Sequence, residues 1–317
     1  MTTGFIRGLA NYPVAERGST VVTIGTFDGI HLGHQAILGR VREVAKETGL
    51  KQVLVTFHPH PRVVVSPNAV PMLLTSVEEK SKFVPHFFDG DALVLEFNRE
   101  LMNLTAEDFV NRVLVDTLGV KHLVVGYDHA LGKDRRGNTD ELRRLGVAKD
   151  FDVEVVGPII HRGSAVSSTR IRKTMSAGSY RDALELLGHD YAIYGKVERG
   201  LGLGRKLGFP TANVDYSLRK LLPPEGVYAC WAQVGDEEFD GMMFIGQNHF
   251  NPMAKLSVEA NLFNFDRDIY DEEIVVYPTT FIRENKRFDS TDLLVEQIHL
   301  DKKNVLDIVQ RGEKTCQ

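Results

Sequence analysis

The chain has 317 residues, 43% hydrophobic and 26% charged, with a formal net charge of −5, so a disordered or fibrous chain is excluded and two domains of about 150 residues are expected. The acidic balance argues against a nucleic-acid partner, and two cysteines, Cys230 and Cys316, without a CxxC exclude a disulfide scaffold and a Cys-based zinc site and fit a reducing cytoplasm. No signal-peptide core is read at the start, and no apolar run reaches the roughly 20 residues of a membrane span.

Residues 20–160 alternate short apolar runs with helical spacing. VVTIG (21–25), QVLVTF (52–57), ALVLEF (92–97), HLVVG (122–126) and DVEVVG (152–157) are continuous rather than alternating, as in strands covered on both faces. Between them, Ile37, Val41, Val44 and Ala45 share a helix face that stops at Gly49, and a second helix runs from Thr105 to Gly119. This alternation predicts an open parallel sheet with right-handed crossovers and a ligand site beyond the carboxyl ends of its strands. Two short helices follow over 167–188. From Tyr191 to about Ile282 the segments are strand-like with turn punctuation, as in an antiparallel barrel or sandwich, and 290–310 forms an amphipathic helix capped by Ser290 or Thr291. The boundary is placed near His189, giving domains 1–188 and 189–317.

GTFDGIHLGH (25–34) joins the first strand to the first long helix. Gly25 and Gly29 permit a sharp turn and close backbone approach, and open N–H groups at the helix start favour an anion. His31 and His34, three apart, share a face there and suit a phosphate whose charge grows in a transition state. The other readings are two surface histidines or an HxxH metal pair; zinc lacks a further ligand at short spacing. Three more segments converge on the same strand ends. In TFHPHP (56–61), Phe57 or His60 faces an aromatic ligand, or Phe57 joins the core beneath a stiff loop. VGYDHALGKDRRGN (125–138) reads as a flexible glycine loop whose Asp128 holds a ribose or a metal, or is a turn residue; its Lys133 to Arg136 stretch reads as a solvated loop. SSTRIR (167–172) offers a second anion grip through Ser168, Thr169 and Arg170, or an ordinary cap with a solvated arginine.

In the second half, Gly195, Gly200, Gly202, Gly204 and Gly208 lie within 14 positions, too dense for a regular strand and suited to a backbone loop over phosphates. Neither a P-loop nor a Rossmann fingerprint is present. Pro210 presets a turn, and Thr211 and Asn213 point the same way, so hydroxyl and amide oxygens suit a Mg²⁺–phosphate group.

With these motifs in view, the sequence resembles the bacterial bifunctional riboflavin kinase/FAD synthetase (FMN adenylyltransferase) family over residues 18–310. GTFDGIHLGH with SSTRIR is similar to the HxGH nucleotidylyltransferases, and TFHPHP to their FAD synthetase branch. GRKLGFPTAN (204–213) resembles the riboflavin kinase signature, as do PPEGVYA (223–229), SVEANLFNF (257–265) and FIRENKRF (281–288). The resemblance implies a doubly wound, Rossmann-like parallel-sheet domain followed by a kinase β-barrel with a terminal helix. It implies an enzyme that phosphorylates riboflavin to FMN and transfers AMP from ATP to FMN, giving FAD and pyrophosphate, with Mg²⁺ serving both steps.

Carried over, His31 and His34 bind ATP phosphates within the loop of Gly25, Asp28 and Gly29, while Ser168, Thr169 and Arg170 hold the triphosphate from the other side. Asp128 contacts the nucleotide, and Phe57, Pro59 and His60 flank the flavin. In the kinase, Gly200, Gly202, Gly204, Thr211 and Asn213 form the phosphate and metal cradle. Glu259, by its residues alone a solvent-facing strand position, becomes the general base. Arg283 sits near the flavin or in a surface salt bridge. Departures from the family fall at His129, Leu131, Asn248 and Asn261. The partners implied are small molecules, with no nucleic acid and no membrane, in a cytoplasmic monomer or weak homo-oligomer. The alternatives are one active module beside a degenerate one, or a flavin- or nucleotide-binding regulator without turnover.

Overall fold

Each of the five apolar runs becomes a strand of one parallel sheet, four of them with buried centres and the last, over 152–156, half-buried at an edge. The computed structural model describes residues 4–15, 18–133, 136–200, 202–247 and 255–311; Asn248, Asp134, Arg135 and Cys316 therefore lie outside the described residues. By compactness the chain divides into two units, residues 1–71 with 80–168, and residues 72–79 with 169–317.

In the first unit the strands are β1 (Phe5–Arg7), β2 (Thr20–Ile24), β3 (Lys51–His58), β4 (Asp91–Glu96), β5 (Val120–Gly126) and β6 (Asp152–Val156), in the order β1-β4-β3-β2-β5-β6. All neighbours are parallel. Only β1, three residues at the sheet edge, carries no apolar run that the sequence would single out. Val22, Val53, Val55, Leu93, Leu123 and Val125 form the core beneath the helices. Helix α1 (Leu32–Thr48) buries Leu38, Val41, Val44 and Ala45 and ends on Gly49 in the left-handed conformation, the stop that its sequence predicts. Shorter helices follow: α2 (Arg62–Val65), α3 (Val77–Phe87), α4 (Arg99–Asn103), α5 (Ala106–Phe109) and α6 (Thr139–Lys149). The helix expected from Thr105 to Gly119 starts as α5, with Thr105 accepting from the Asp108 N–H, and then widens into a π-helical stretch over Val110–Val115. A two-stranded ribbon, β7 (Ile160–His161) and β8 (Ser164–Ala165), closes the unit. The strand order turns back between β2 and β5, so the carboxyl ends of these two strands flank the crevice where such sheets bind ligands.

The second unit holds most of α7 (Ser168–Ser176), all of α8 (Tyr180–Leu187) and a closed barrel. Its strands are β9 (Ile193–Glu198), β10 (Ala212–Tyr216), β11 (Gly226–Val234), β12 (Glu237–Gly246), β13 (Ser257–Leu262) and β14 (Glu273–Arg283), with α9 (Leu203–Lys206) between β9 and β10. The ring order is β10-β13-β12-β11-β14-β9, antiparallel throughout. Of the two all-β architectures compatible with the sequence, the barrel is the one formed, and closure leaves no edge strand exposed. Helix α10 (Thr291–Gln310), capped by Ser290, packs on β11, β12 and β14 through Val295, Ile298 and Val305.

The segment 72–79 is pinned to this unit by a buried ion pair. Lys220 Nζ lies 2.8 Å from Glu79 Oε2, and each side chain is 2% exposed. Lys220 also donates to the Leu74 carbonyl and stands 4.0 Å over the Tyr191 ring, while Glu79 accepts from the Ser76 and Tyr194 backbone N–H groups. Each charge taken out of water is met by several partners, as such burial requires.

Candidate functional sites

The loop leaving β2 is a tightly wound, buried turn. Phe27, Gly29 and Ile30 all take positive φ, at 44°, 90° and 39°. A bulky residue rarely adopts that conformation, and here Phe27 and Ile30, both 1% exposed, are held in it by the core. Glycine suits position 25, since a Cβ there would stand 3.1 Å from the Phe27 ring. The Thr26 carbonyl accepts from Thr56 Oγ1 at 3.2 Å and Lys80 Nζ at 2.6 Å, and the Asp28 carbonyl accepts from Ser168 Oγ at 2.8 Å.

That turn delivers His31 to the N-cap of α1, where its Nδ1 accepts the His34 backbone N–H at 3.3 Å. The two imidazoles stack at 3.7 Å between centroids, 14° from parallel. Because Nδ1 of His31 is an acceptor, a neutral His31 carries its proton on Nε2. Burial, then His31, then Lys80 hold His34 well below the ordinary imidazole value of 6.5, so it is neutral at pH 7. Its buried Nδ1 has no partner among the described residues. The result is a stacked imidazole pair at the start of α1, with His34 held neutral. No cluster of three or more His, Cys, Asp or Glu suited to a metal exists among the described residues.

In the barrel unit, Thr211 Oγ1 donates to Glu259 Oε2 at 3.2 Å, and Asn213 on β10 lies in register with Glu259 on β13. The glycine loop packs directly against these groups. A Cβ at Gly200 would fall 2.5 Å from the Asn213 amide, and one at Gly204 would fall 2.4 Å from the Phe209 carbonyl and 3.3 Å from Thr211 Oγ1. Two cavities meet at Thr211. One, of about 540 Å³, is lined mainly by apolar groups such as Leu207, Phe209, Met242 and Phe244, together with Glu259 and Arg283. The other, of about 450 Å³, presents Arg205, Asp266, Arg267, Asp268 and Tyr270. An apolar chamber and a charged one therefore share the Thr211 hydroxyl, with Glu259 on the apolar side of that junction.

Residues 14–170 match the family model for FAD synthetase, and residues 187–309 match the model for riboflavin kinase. The chain is 39% identical over 297 residues to the bifunctional riboflavin kinase/FMN adenylyltransferase of Pseudomonas fluorescens, covering 93% of this chain and 94% of that protein. The chain belongs to the bifunctional riboflavin kinase/FMN adenylyltransferase family. The protein of the same description from Escherichia coli K12 is 34% identical over 298 residues, covering 94% of this chain and 95% of its own. Among solved structures, a crystal structure of a macrolide-efflux protein from Streptococcus pneumoniae shares the fold with a TM-score of 0.81 at 29% identity, covering 96% of this chain and 98% of that one.

Against this family background, the other residues singled out by sequence fall as follows. Asp128 is exposed just beyond β5, with Oδ1 close against Gly126 at the crevice. In the loop that follows, Leu131 is buried and exchanges both backbone hydrogen bonds with Gly137 at 3.0 Å, and Gly132 backs onto Ala106. Phe57 is half-buried, edge-on to Phe97 at 5.6 Å and packed on the core, so its ring is largely a core group; Pro59 and His60 lie beyond it, where His60 Nδ1 accepts the Arg62 N–H. Ser168 reaches the first unit's loop, whereas Thr169 and Arg170 lie in the second unit. Gly195 sits inside strand β9, so the glycine-dense loop begins later than the sequence suggests. Arg283 is not in a surface salt bridge: its guanidinium grips the buried Asp301 through Nε and Nη2 at 2.7–3.0 Å while lining the apolar cavity. Asn261, a departure from the family, donates to the Pro210 carbonyl at 2.6 Å and so fixes the turn that presents Thr211.

Sequence reasoning missed Lys80, Thr56 and Asp301. Asp301 left a trace, a carboxylate in line with the apolar positions Ile298 and Val305 of a helix face. Lys80 lies 54 positions from the carbonyl it binds and left none.

Proposed function

We propose that this chain runs its family's two reactions at the two sites described. The barrel, within residues 189–317, transfers the ATP γ-phosphoryl group to the 5′-hydroxyl of riboflavin. The apolar 540 Å³ chamber suits the flavin ring and the charged 450 Å³ chamber suits ATP. The observation that carries this reading is the Thr211–Glu259 contact at the junction of the chambers. The riboflavin oxygen attacks the γ-phosphorus, the bond to the ADP oxygen breaks, and Glu259 takes the hydroxyl proton. Help of that kind contributes roughly 10²–10⁴-fold. Arg283, held by Asp301, orients the flavin, and the backbone of Gly200, Gly202 and Gly204 lies along the phosphates.

Mg²⁺ fits this cradle by its donor set: Thr211 and Asn213 offer hard neutral oxygens beside the Glu259 carboxylate, the ligand type this ion takes together with phosphate and water. Held by these residues, such an ion would supply charge neutralisation to the phosphates.

The parallel-sheet domain, residues 1–188, joins AMP to FMN. An FMN phosphate oxygen attacks the ATP α-phosphorus and pyrophosphate leaves; no covalent enzyme intermediate is needed. His31 through Nε2–H and the neutral His34 donate to the phosphates at the turn of Gly25, Asp28 and Gly29. Ser168, Thr169 and Arg170 hold the triphosphate, Asp128 the nucleoside, and Phe57, Pro59 and His60 the flavin side. The low cysteine content supports a cytoplasmic location, and small-molecule chemistry supports a monomer or weak homo-oligomer. Incubating the full chain with riboflavin, ATP and Mg²⁺ and separating the products tests the proposal. FMN and then FAD are expected, and formation of neither refutes it.

A further inference from the structure

We propose that Lys80 is a positioning residue for adenylyl transfer: it clamps the Thr26 turn and supplies the fixed positive charge beside the histidine pair. This rests on the reading of the first unit as the adenylyltransferase.

Lys80 is 6% exposed, an unusual place for an ammonium, which stays buried only where partners replace its water. Its Nζ donates to the Thr26 carbonyl at 2.6 Å, and Thr56 Oγ1 donates to the same oxygen at 3.2 Å. Both lone pairs of that carbonyl are thereby engaged. The next residue is Phe27, at φ 44°, and four positions later the chain reaches His31. A carbonyl held at this point determines where the strained turn delivers the two imidazoles. Lys80 projects from the first turns of α3, whose start is set by a reciprocal cap: Glu79 N–H donates to Ser76 Oγ at 3.1 Å, and Ser76 N–H donates to Glu79 Oε2 at 2.8 Å.

The charge has a second consequence. The groups acting electrostatically on His34 are His31, from its own turn, and Lys80, from α3; both oppose its protonation. Two protonated rings stacked at 3.7 Å would repel each other strongly. With Lys80 as the permanent cation, His34 serves as a neutral, directional donor while the lysine field favours the growing negative charge on departing pyrophosphate. No proton passes to or from Lys80 in this scheme. The bond from the α-phosphorus to the bridging oxygen breaks, its electron pair leaves with pyrophosphate, and the FMN oxygen takes its place.

The test uses full-length Lys80→Met and Lys80→Gln. Gln keeps a donor for the Thr26 carbonyl and removes the charge. Riboflavin phosphorylation by the same preparations reports that the barrel unit is folded, a native-like NMR spectrum reports the same for the unit that carries Lys80, and Lys80→Gln alone suffices if the Met variant does not fold. In both variants kcat for FMN adenylylation is expected to fall at least ~10-fold, the size of a lost transition-state electrostatic contact, with KM for FMN within about twofold. The acid limb of the pH profile and the His34 ring titration followed by NMR both move to higher pH. An unmoved His34 titration in the two folded variants overturns the proposal. Absence of FAD from the unmodified chain instead defeats the underlying reading, and the NMR titration still decides the role of Lys80.

Discussion

Thr211, just ahead of β10, and Glu259, on β13, lie 48 positions apart and meet hydroxyl to carboxylate at 3.2 Å. Barrel closure pairs β10 with β13 and sets Asn213 opposite Glu259, so the proposed phosphate-holding face and the proposed base occupy one patch. Glu259→Gln keeps the shape and the contact with Thr211 while removing the proton acceptor. FMN formation is expected to fall by about 10²–10⁴-fold. Adenylylation of supplied FMN by the same variant should stay within about twofold of the unmodified chain, because no step of that reaction uses Glu259. Equal loss of both activities would contradict two separate sites.

The histidine pair predicts the converse. His34→Ala removes a donor that strengthens as charge develops on the phosphates, and should cut FAD formation at least ~10²-fold with riboflavin phosphorylation retained. A rise in KM for FMN at unchanged kcat would instead mean that His34 only binds.

His34 also ties stability to pH. Its folded-state value is depressed, chiefly by burial, while in the unfolded chain it titrates near 6.5. Below 6.5 the unfolded chain binds a proton that the native state refuses, so this contribution is present above 6.5 and is lost as pH falls. The slope is up to about 1.4 kcal/mol per pH unit. Urea unfolding of the unmodified chain and of His34→Gln at several pH values between about 7 and 5 should show a shallower decline in the variant. Parallel curves would mean that His34 is already charged in the native state.

Much of this was legible in the sequence, and for definite reasons. The four inner strands of the parallel sheet are near-continuous apolar runs because helices cover both faces, and Gly49 marks the end of α1 because a left-handed residue stands there. HxGH at a strand-to-helix turn carries its own chemistry within ten residues. Barrel closure was not legible, since ring order depends on pairings between distant segments. Glu259 emerged only through family resemblance: on its own strand it is one polar residue among alternating ones. Arg283 was expected near the flavin or in a surface pair, and is instead a half-hidden clamp whose partner, Asp301, lies 18 positions away on another element. The glycine segment looked like one long loop because residue type alone does not separate Gly195, in a strand beside the Asp215 carbonyl, from Gly200 and Gly204, which approach the site.

Those two glycines give a steric prediction. Gly204→Ala drives a methyl group into the Phe209 carbonyl, a backbone atom that moves only with the turn carrying Pro210 and Thr211. Overpacking of this kind costs about 1–3 kcal/mol. Riboflavin kinase activity should fall while FAD formation from FMN persists. Gly49→Ala serves as the comparison: a Cβ there meets open space, and only the positive φ of 74° is penalised, so kinase activity should be unchanged. Similar kinase loss in both variants would show that the glycine loop has no special bearing on the site.

The Glu79–Lys220 pair bears on why residues 72–79, although encoded between β3 and β4, pack with the barrel unit. Lys220→Met leaves the Glu79 carboxylate buried with only backbone donors from Ser76 and Tyr194. Removing one partner of a buried pair typically costs about 3–5 kcal/mol, whereas replacing both with neutral groups of similar volume is often close to neutral. Denaturant unfolding of the full chain should therefore place Lys220→Met and Glu79→Gln each well below the unmodified protein. The Glu79→Gln, Lys220→Met double variant should recover most of the loss, a coupling that additive effects cannot produce. Losses that simply add would show that each side chain stabilises the fold alone, through Tyr191 and the Leu74 carbonyl for Lys220 and through the α3 cap for Glu79.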